Sequence, residues 1–336
     1  MKATMIHGER DIRFEEVPDP TISAPTDAIV KVVASCICGS DLWSYRGEDP
    51  THEPHTIGHE CLGVVEEVGA DVRDVAPGDF VVVPFDHCDG TCSACLNGAP
   101  CENVGITQSG QAEYAVVTHA DGSLVKTDGT PDRDLWPSLL TLSDVMATGW
   151  HAAVAAGVRR GGTAVVVGDG AVGLCGVLAA AQMGAETVVA MSRHEPRQEI
   201  ARAFGATHVV AERGKEGVAA VKEILGGTGG DAVLECVGNG PAFEQAFRVA
   251  RPGATVGFVG VPHGAEVPLR VMFSKNVGLA GGMAPVRRYL PELLDLVLAR
   301  TIDPGRVFDL TLPLAEVADG YRAMDERTAI KVYLEP

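Results

Sequence analysis

The chain has 336 residues, enough for two domains of ordinary size. Apolar residues make up 46% and charged residues 21%, which sets aside global disorder. With 45 Asp and Glu against 27 Lys and Arg, the net charge is -18. Such a surface repels nucleic acid and anionic lipid, so an anionic cofactor needs a local positive site of its own. The N-terminal segment MKATMIHGERDIRFEEVPDP lacks the apolar core of a signal peptide, and no apolar run reaches membrane-spanning length. A cytoplasmic protein with no membrane or nucleic-acid partner is the expectation. In a reducing compartment, nine cysteines point to metal or chemistry before disulfides.

In chain order, the first third reads as β. Short Val- and Ile-rich runs at 28–33, 63–68, 79–83 and 111–117 are bounded by Gly, Pro and Asp. Residues 135–158 carry apolar residues at helical spacing and read as one helical stretch. From 163 onward strand and helix alternate. Strands are expected at 164–167, 187–191, 208–211, 231–237 and 254–259, with helices between them. This alternation implies βαβ units and a parallel sheet. The tail reads helix at 286–299, helix at 314–324 and strand at 330–334. A parallel domain over 148–281 is therefore flanked by 1–147 and 282–336, two pieces of one other domain.

The segment VVVGDGAVG at 165–173 places G-x-G-x-x-G between a strand and a helix, the context that makes this motif a dinucleotide site. Gly168 allows the tight turn, Gly170 the approach of a pyrophosphate, and Gly173 close helix packing. Ala171 and Val172 begin the helix whose free N–H groups face the phosphates. The next strand ends in Met191-Ser192-Arg193-His194, without the carboxylate that would bind a ribose 2′-hydroxyl. Ser192 can donate to a 2′-phosphate, Arg193 can neutralise it, and Arg197 stands one helical turn on, so NADP is expected over NAD.

Three further segments go together: Cys36-Ile37-Cys38-Gly39-Ser40-Asp41, Gly58-His59-Glu60 and Ser143 to Gly149. A dense cluster follows the second of them: Cys88, Cys92 and Cys95, with Cys101 six positions later. Thiolates this close in a loop suit a structural, tetrahedral zinc.

In their order and spacing, these motifs resemble the zinc-containing alcohol dehydrogenases of the medium-chain dehydrogenase/reductase superfamily, over nearly the whole chain. The resemblance implies an α/β protein in which a doubly wound Rossmann sheet is inserted into a GroES-like, mainly antiparallel catalytic domain. It implies a catalytic zinc on Cys38, His59 and Asp144, an aspartate standing where many members have cysteine. Glu60 then supports or exchanges with the ligands, and Cys36 is structural. The family's lobe pattern is C-x2-C-x2-C-x7-C, from which this chain departs. Asp89 stands at the first position and Cys88 one residue early. Either could complete the set, and Cys88 is favoured because a thiolate suits a closed site.

The same resemblance places the Ser40 hydroxyl at the substrate oxygen, Thr148 beside the nicotinamide and Lys331 against the cofactor. Zinc is a Lewis acid that polarises a carbonyl or acidifies an alcohol, while the nicotinamide takes or gives hydride. His52 and His55 are candidate proton-relay termini, and Trp43 and Trp150 hint at an apolar substrate. A polyol or amino-alcohol dehydrogenase of the same family, or an NAD-preferring alcohol dehydrogenase, is the alternative. Relatives of this kind are homodimers or homotetramers. Cys61, Cys175 and Cys236 lie in apolar runs and read as core.

Overall fold

The computed structural model describes residues 1–49 and 51–336. The chain divides into two units: Met1–Asp144 with Pro285–Pro336, and Val145–Ala284. The junctions lie three residues from those expected at 147/148 and 281/282.

The discontinuous unit is built on the strand Ala28–Cys36, whose residues Ala28, Ile29, Val30, Val32 and Ala34 are buried. It pairs antiparallel with Cys61–Val68, Tyr114–Val117 and Val332–Glu335. Phe80–Val83 and Val125–Lys126 extend this sheet on one side, and Leu310–Pro313 pairs parallel with Val332–Glu335 on the other. The C-terminal strand thus completes a sheet begun at Ala28, with Tyr333 opposite Cys36, which is why the two chain segments form one unit. A second sheet holds Lys2–Gly8, Asp11–Glu16 and His55–Thr56. Val30, Val65, Val81 and Val117 fill one core, and Ile6, Ile37, Tyr321 and Leu334 another.

The helical stretch expected over 135–158 is interrupted. Helices Trp136–Thr141 and Val145–Ala156 are separated by a turn in which Leu142, Ser143 and Asp144 donate to carbonyls three residues back. The Ser143 carbonyl accepts from Phe85 N instead of from a helical amide. Apolar residues resume at once after Ser143 and Asp144, so periodicity alone reads one helix. It is the turn that exposes Asp144 to its neighbours.

The second unit carries six parallel strands in the order His208–Val210, Thr187–Met191, Thr163–Val167, Gly230–Glu235, Ala250–Phe258, Gly278–Gly281. This is a doubly wound sheet, and the strand order reverses at Thr163–Val167. Val165, Val189, Val233 and Val256, buried on both faces, pack with Phe243 and Phe247. The helix Leu269–Lys275 and the edge strand Gly278–Gly281 lie beyond the elements expected from sequence. No described helix is long and apolar enough to cross a membrane.

Candidate active site

Cys38 lies in the turn leaving Ala28–Cys36, just before the helix Asp41–Tyr45. The turn is tied by Cys38 N donating to Asp41 Oδ2 at 3.0 Å. Asp41 Oδ1 lies 3.3 Å from His59 Nδ1, which turns Nε2 toward Asp144 Oδ2 at 3.4 Å. Cys38 Sγ approaches the same Asp144 oxygen at 3.4 Å. Gly58, at φ +97°, admits no side chain, since a Cβ would sit 2.4 Å from Gln111. Gln111 itself spans Cys36 O and Asp41, so the turn carrying His59 and the turn carrying Cys38 are held together. Cys38, His59, Glu60 and Asp144 thereby offer one donor atom each, all within 4.8 Å of one another.

Glu60 is fully buried. Its Oε1 meets Lys331 Nζ at 2.6 Å, and its Oε2 is buried without a hydrogen-bond partner. Burial raises the Glu60 pKa, with Lys331 opposing. Burial also raises the Cys38 thiol, and Asp144 adds to it while His59 opposes. Burial works against a charged His59, but Asp41 and Cys38 more than offset it. A thiol, an imidazole and two carboxyls converge here with one ammonium among them, and one carboxylate oxygen is orphaned. This set fits a borderline-soft divalent cation such as zinc, which would favour the deprotonated forms that burial alone penalises.

Lys331 pairs with Glu60. It is 1% exposed, and its ammonium bonds Glu60 and Ile37 O. Lys331 is thereby the counter-ion of a buried carboxylate, a role that the sequence did not suggest. Ser40 precedes the helix Asp41–Tyr45, and its hydroxyl makes no capping bond. Thr148 and Trp150 are buried in Val145–Ala156, while Trp43 is half-buried. His52 and His55 are exposed and line a depression of about 460 Å³ with Ser44, Thr51 and Glu53. Cys61 and Cys175 are buried and Cys236 partly so, and none of the nine cysteines is in a disulfide.

The second cluster corrects the favoured fourth ligand. Asp89, not Cys88, brings a donor atom within 4.8 Å of those of Cys92, Cys95 and Cys101. Cys88 Sγ instead donates to Gly122 O at 2.8 Å, and Cys88 N donates to Ser123 Oγ. The cause is direction. Both follow the strand Asp86–His87, and the Cys88 sulfur is turned to Gly122 O while the Asp89 carboxylate is turned to the amides of Thr91 and Cys92. Asp89 Oδ1 accepts from Cys92 N at 2.9 Å and Thr91 N at 2.8 Å, and Oδ2 from Asn103 Nδ2 at 2.8 Å. These bonds, Cys92 N foremost, hold its carboxyl well below the usual range. Sulfurs receive amides too: Cys95 N points at Cys92 Sγ, and Asp89 N and Asn103 N at Cys101 Sγ. Three such thiols and a carboxylate fit a tetrahedral zinc. Arg288 ties the lobe down by donating to Gly98 O at 2.9 Å.

In the other unit, Gly168 turns the chain at φ +121° and Gly170 caps the helix Ala171–Gln182 without a side-chain bond. A Cβ on Gly173 would lie 2.1 Å from Gly168 O, whereas space above Gly170 is open. Ala171 and Val172 are partly exposed in the first turn, leaving its amides available to an anion. Ser192, Arg193 and Arg197 gather around one residue that sequence reasoning passed over, Asp169. Its carboxylate accepts from Ser192 Oγ at 2.8 Å and Arg193 N at 3.3 Å, and Arg197 Nη1 lies 3.5 Å away. Asp41 was likewise missed. Each lies inside a motif already read, Asp169 at a position whose side chain the motif leaves unspecified and Asp41 as the last named residue of its segment.

Two family models match the chain: the alcohol dehydrogenase GroES-like domain over residues 24–128 and the zinc-binding dehydrogenase domain over 171–299. A Mycobacterium tuberculosis protein named a probable zinc-binding alcohol dehydrogenase is 36% identical over 339 residues, covering 98% of this chain and 86% of its own. Sorbitol dehydrogenase of Bacillus subtilis is 33% identical over 346 residues, covering 100% and 97%. Among solved structures, alcohol dehydrogenase TADH from Thermus sp. ATN1 superposes with a TM-score of 0.90 at 31% identity, covering 100% of this chain and 99% of that one. Matched along its whole length in sequence and in fold, and carrying both sets of metal donors, the chain belongs to the zinc-containing alcohol dehydrogenases of the medium-chain dehydrogenase/reductase family.

Proposed function

We propose that this zinc-type alcohol dehydrogenase exchanges hydride between NADP(H) and an alcohol or its aldehyde or ketone, with a relatively apolar substrate. The observation that carries the cofactor preference is the group of Ser192, Arg193 and Arg197 at the end of Thr187–Met191, where the strand itself ends without a carboxylate. Cys38, His59 and Asp144 would hold the catalytic zinc, with Glu60 beside them. Asp89, Cys92, Cys95 and Cys101 would hold a structural one. When bound, the catalytic zinc supplies Lewis-acid polarisation of the substrate oxygen. When bound, NADP supplies the hydride acceptor.

The chain's own groups do the rest. Asp41 keeps His59 oriented through Nδ1. Ser40 presents a hydroxyl not used in capping, suited to hold the proton of the substrate oxygen. Thr148 would position the nicotinamide, and Gly168, Gly170, Ala171, Val172 and Gly173 would cradle the pyrophosphate. Phe85, 6.1 Å edge-on from the His59 ring, supports apolar substrate surroundings, with Trp43 and Trp150 as further candidates. The likeness to a sorbitol dehydrogenase supports a polyol as the second reading. A homodimer or homotetramer is supported by Phe273, 88% exposed beside the edge strand Gly278–Gly281.

The test is steady-state oxidation of aliphatic and aromatic alcohols and of sorbitol, each with NADP and with NAD. Higher kcat/KM with NADP and an apolar alcohol is the expected result. A higher value with NAD, or with sorbitol, would overturn the corresponding half of the reading.

A further inference from the structure

Three neighbouring strands of the parallel sheet end side by side, and each delivers charged or polar groups to one place. Thr163–Val167 leads to Asp169, Thr187–Met191 to Ser192 and Arg193, and His208–Val210 to Arg213. Arg197 joins them from the first turn of Glu195–Ala203. Arg213 stands before the helix Gly214–Ile224 and makes no capping bond. Its Nη1 is buried without any hydrogen-bond partner. Burial lowers the Arg213 pKa; the Asp169 carboxylate opposes that and the Arg193 guanidinium adds to it, so the three charges act on one another. A guanidinium N–H kept from water and given no acceptor is costly unless an acceptor arrives.

The Asp169 carboxylate already takes the donors that a phosphate would use: Ser192 Oγ, Arg193 N and, more loosely, Arg197 Nη1. Glu195 and Glu212 are exposed and pair with none of these arginines among the described residues. Three guanidinium charges against one carboxylate leave an excess of about two positive charges. A phosphate monoester carries roughly -1.5 to -2 at pH 7 and three acceptor oxygens, which answers both the excess and the orphaned N–H. A ribose hydroxyl answers neither.

We infer that Arg213 is a third guanidinium of the site for the cofactor's 2′-phosphate, and that Asp169 is the internal counter-ion which the phosphate displaces. The inference rests on the NADP reading above. Asp169 holds the arginines in place before the cofactor arrives and competes with the phosphate for them. It thereby sets how far NADPH is preferred over NADH.

The experiment is titration of NADPH, NADH and adenosine 2′,5′-bisphosphate into the wild type, Arg213→Met, Arg213→Gln and Asp169→Asn, with thermal melting of each to confirm folding. Wild type should bind NADPH more tightly than NADH. Both Arg213 variants should lose about tenfold in affinity for NADPH and the bisphosphate, the loss of one charged hydrogen bond, with a much smaller change for NADH. Asp169→Asn should tighten NADPH several-fold and weaken or leave NADH. A wild type that favours NADPH, with Arg213 variants that alter both cofactors equally, overturns the inference and leaves the NADP reading standing. Weaker NADPH binding in Asp169→Asn overturns the counter-ion role. A wild type that favours NADH overturns the NADP reading itself.

Discussion

In the buried cluster, Cys38 and Asp144 are 106 residues apart and meet at 3.4 Å because a sheet and a helix break bring them together. In the lobe, all four donors come from Asp89 to Cys101, and Asp89 is held by the amides of Thr91 and Cys92 and the side chain of Asn103. The first cluster is assembled by the core and penalised by burial. The second is assembled by its own loop near the surface. A site of the first kind can be emptied while its scaffold persists, because the sheet pairing and the valine core do not depend on the metal. A site of the second kind is ordered by its own loop hydrogen bonds and by metal together, so occupancy and local folding are coupled.

Breaking the buried cluster at a ligand should have the largest effect. Cys38→Ser is expected to lower kcat by at least about 10³-fold, since several kcal/mol of transition-state stabilisation depend on the metal. Zinc should fall from about two to about one per subunit, with little change in melting temperature. Zinc content by mass spectrometry, kinetics and calorimetry check this. A simultaneous collapse in stability would erase the contrast between the two clusters.

Next come the residues behind the ligands. Lys331→Met leaves Glu60 buried without its counter-ion and should cost about 3–5 kcal/mol in urea unfolding, as for other broken buried pairs. Asp41→Asn should weaken catalytic zinc about 10–100-fold in competition with a chelator, because His59 loses its orienting carboxylate. Unchanged zinc affinity in Asp41→Asn would mean that Asp41 serves the turn alone.

The lobe should respond differently. Asp89→Ala or Cys92→Ser is expected to remove about one zinc per subunit, to lower the melting temperature and to raise protease cleavage near 89–101, with catalytic zinc retained. A chelator should strip this site first in the wild type, giving loss of thermal stability before loss of activity. The smallest effect belongs to Cys88→Ser. Its sulfur is committed to Gly122 O, so zinc content should stay at about two. Loss of a zinc in Cys88→Ser but not in Asp89→Ala would reverse the assignment.

How much of this was legible beforehand depends on the range of the interactions. The parallel sheet was legible because its buried strands are short valine runs separated by helices of opposite period. The cofactor loop was legible because its glycines are required by backbone geometry within six residues. The helix break at 142–144 was legible only as the polar pair Ser143-Asp144, because the bond that accompanies it, Phe85 N donating to Ser143 O, comes from far away in sequence. The pairing of Lys331 with Glu60, 271 residues distant, was not legible.

By itself, the sequence determined the family resemblance, the strand-helix alternation and the kinds of donor present, because these follow from local period, covalent spacing and residue chemistry. Tertiary structure alone decided that Asp89 rather than Cys88 faces the lobe, that Lys331 neutralises Glu60, and that Asp169 meets Ser192 and Arg197. Each of those depends on the direction in which a side chain leaves its backbone and on what the fold brings opposite it, and neither is written in the order of residues along the chain.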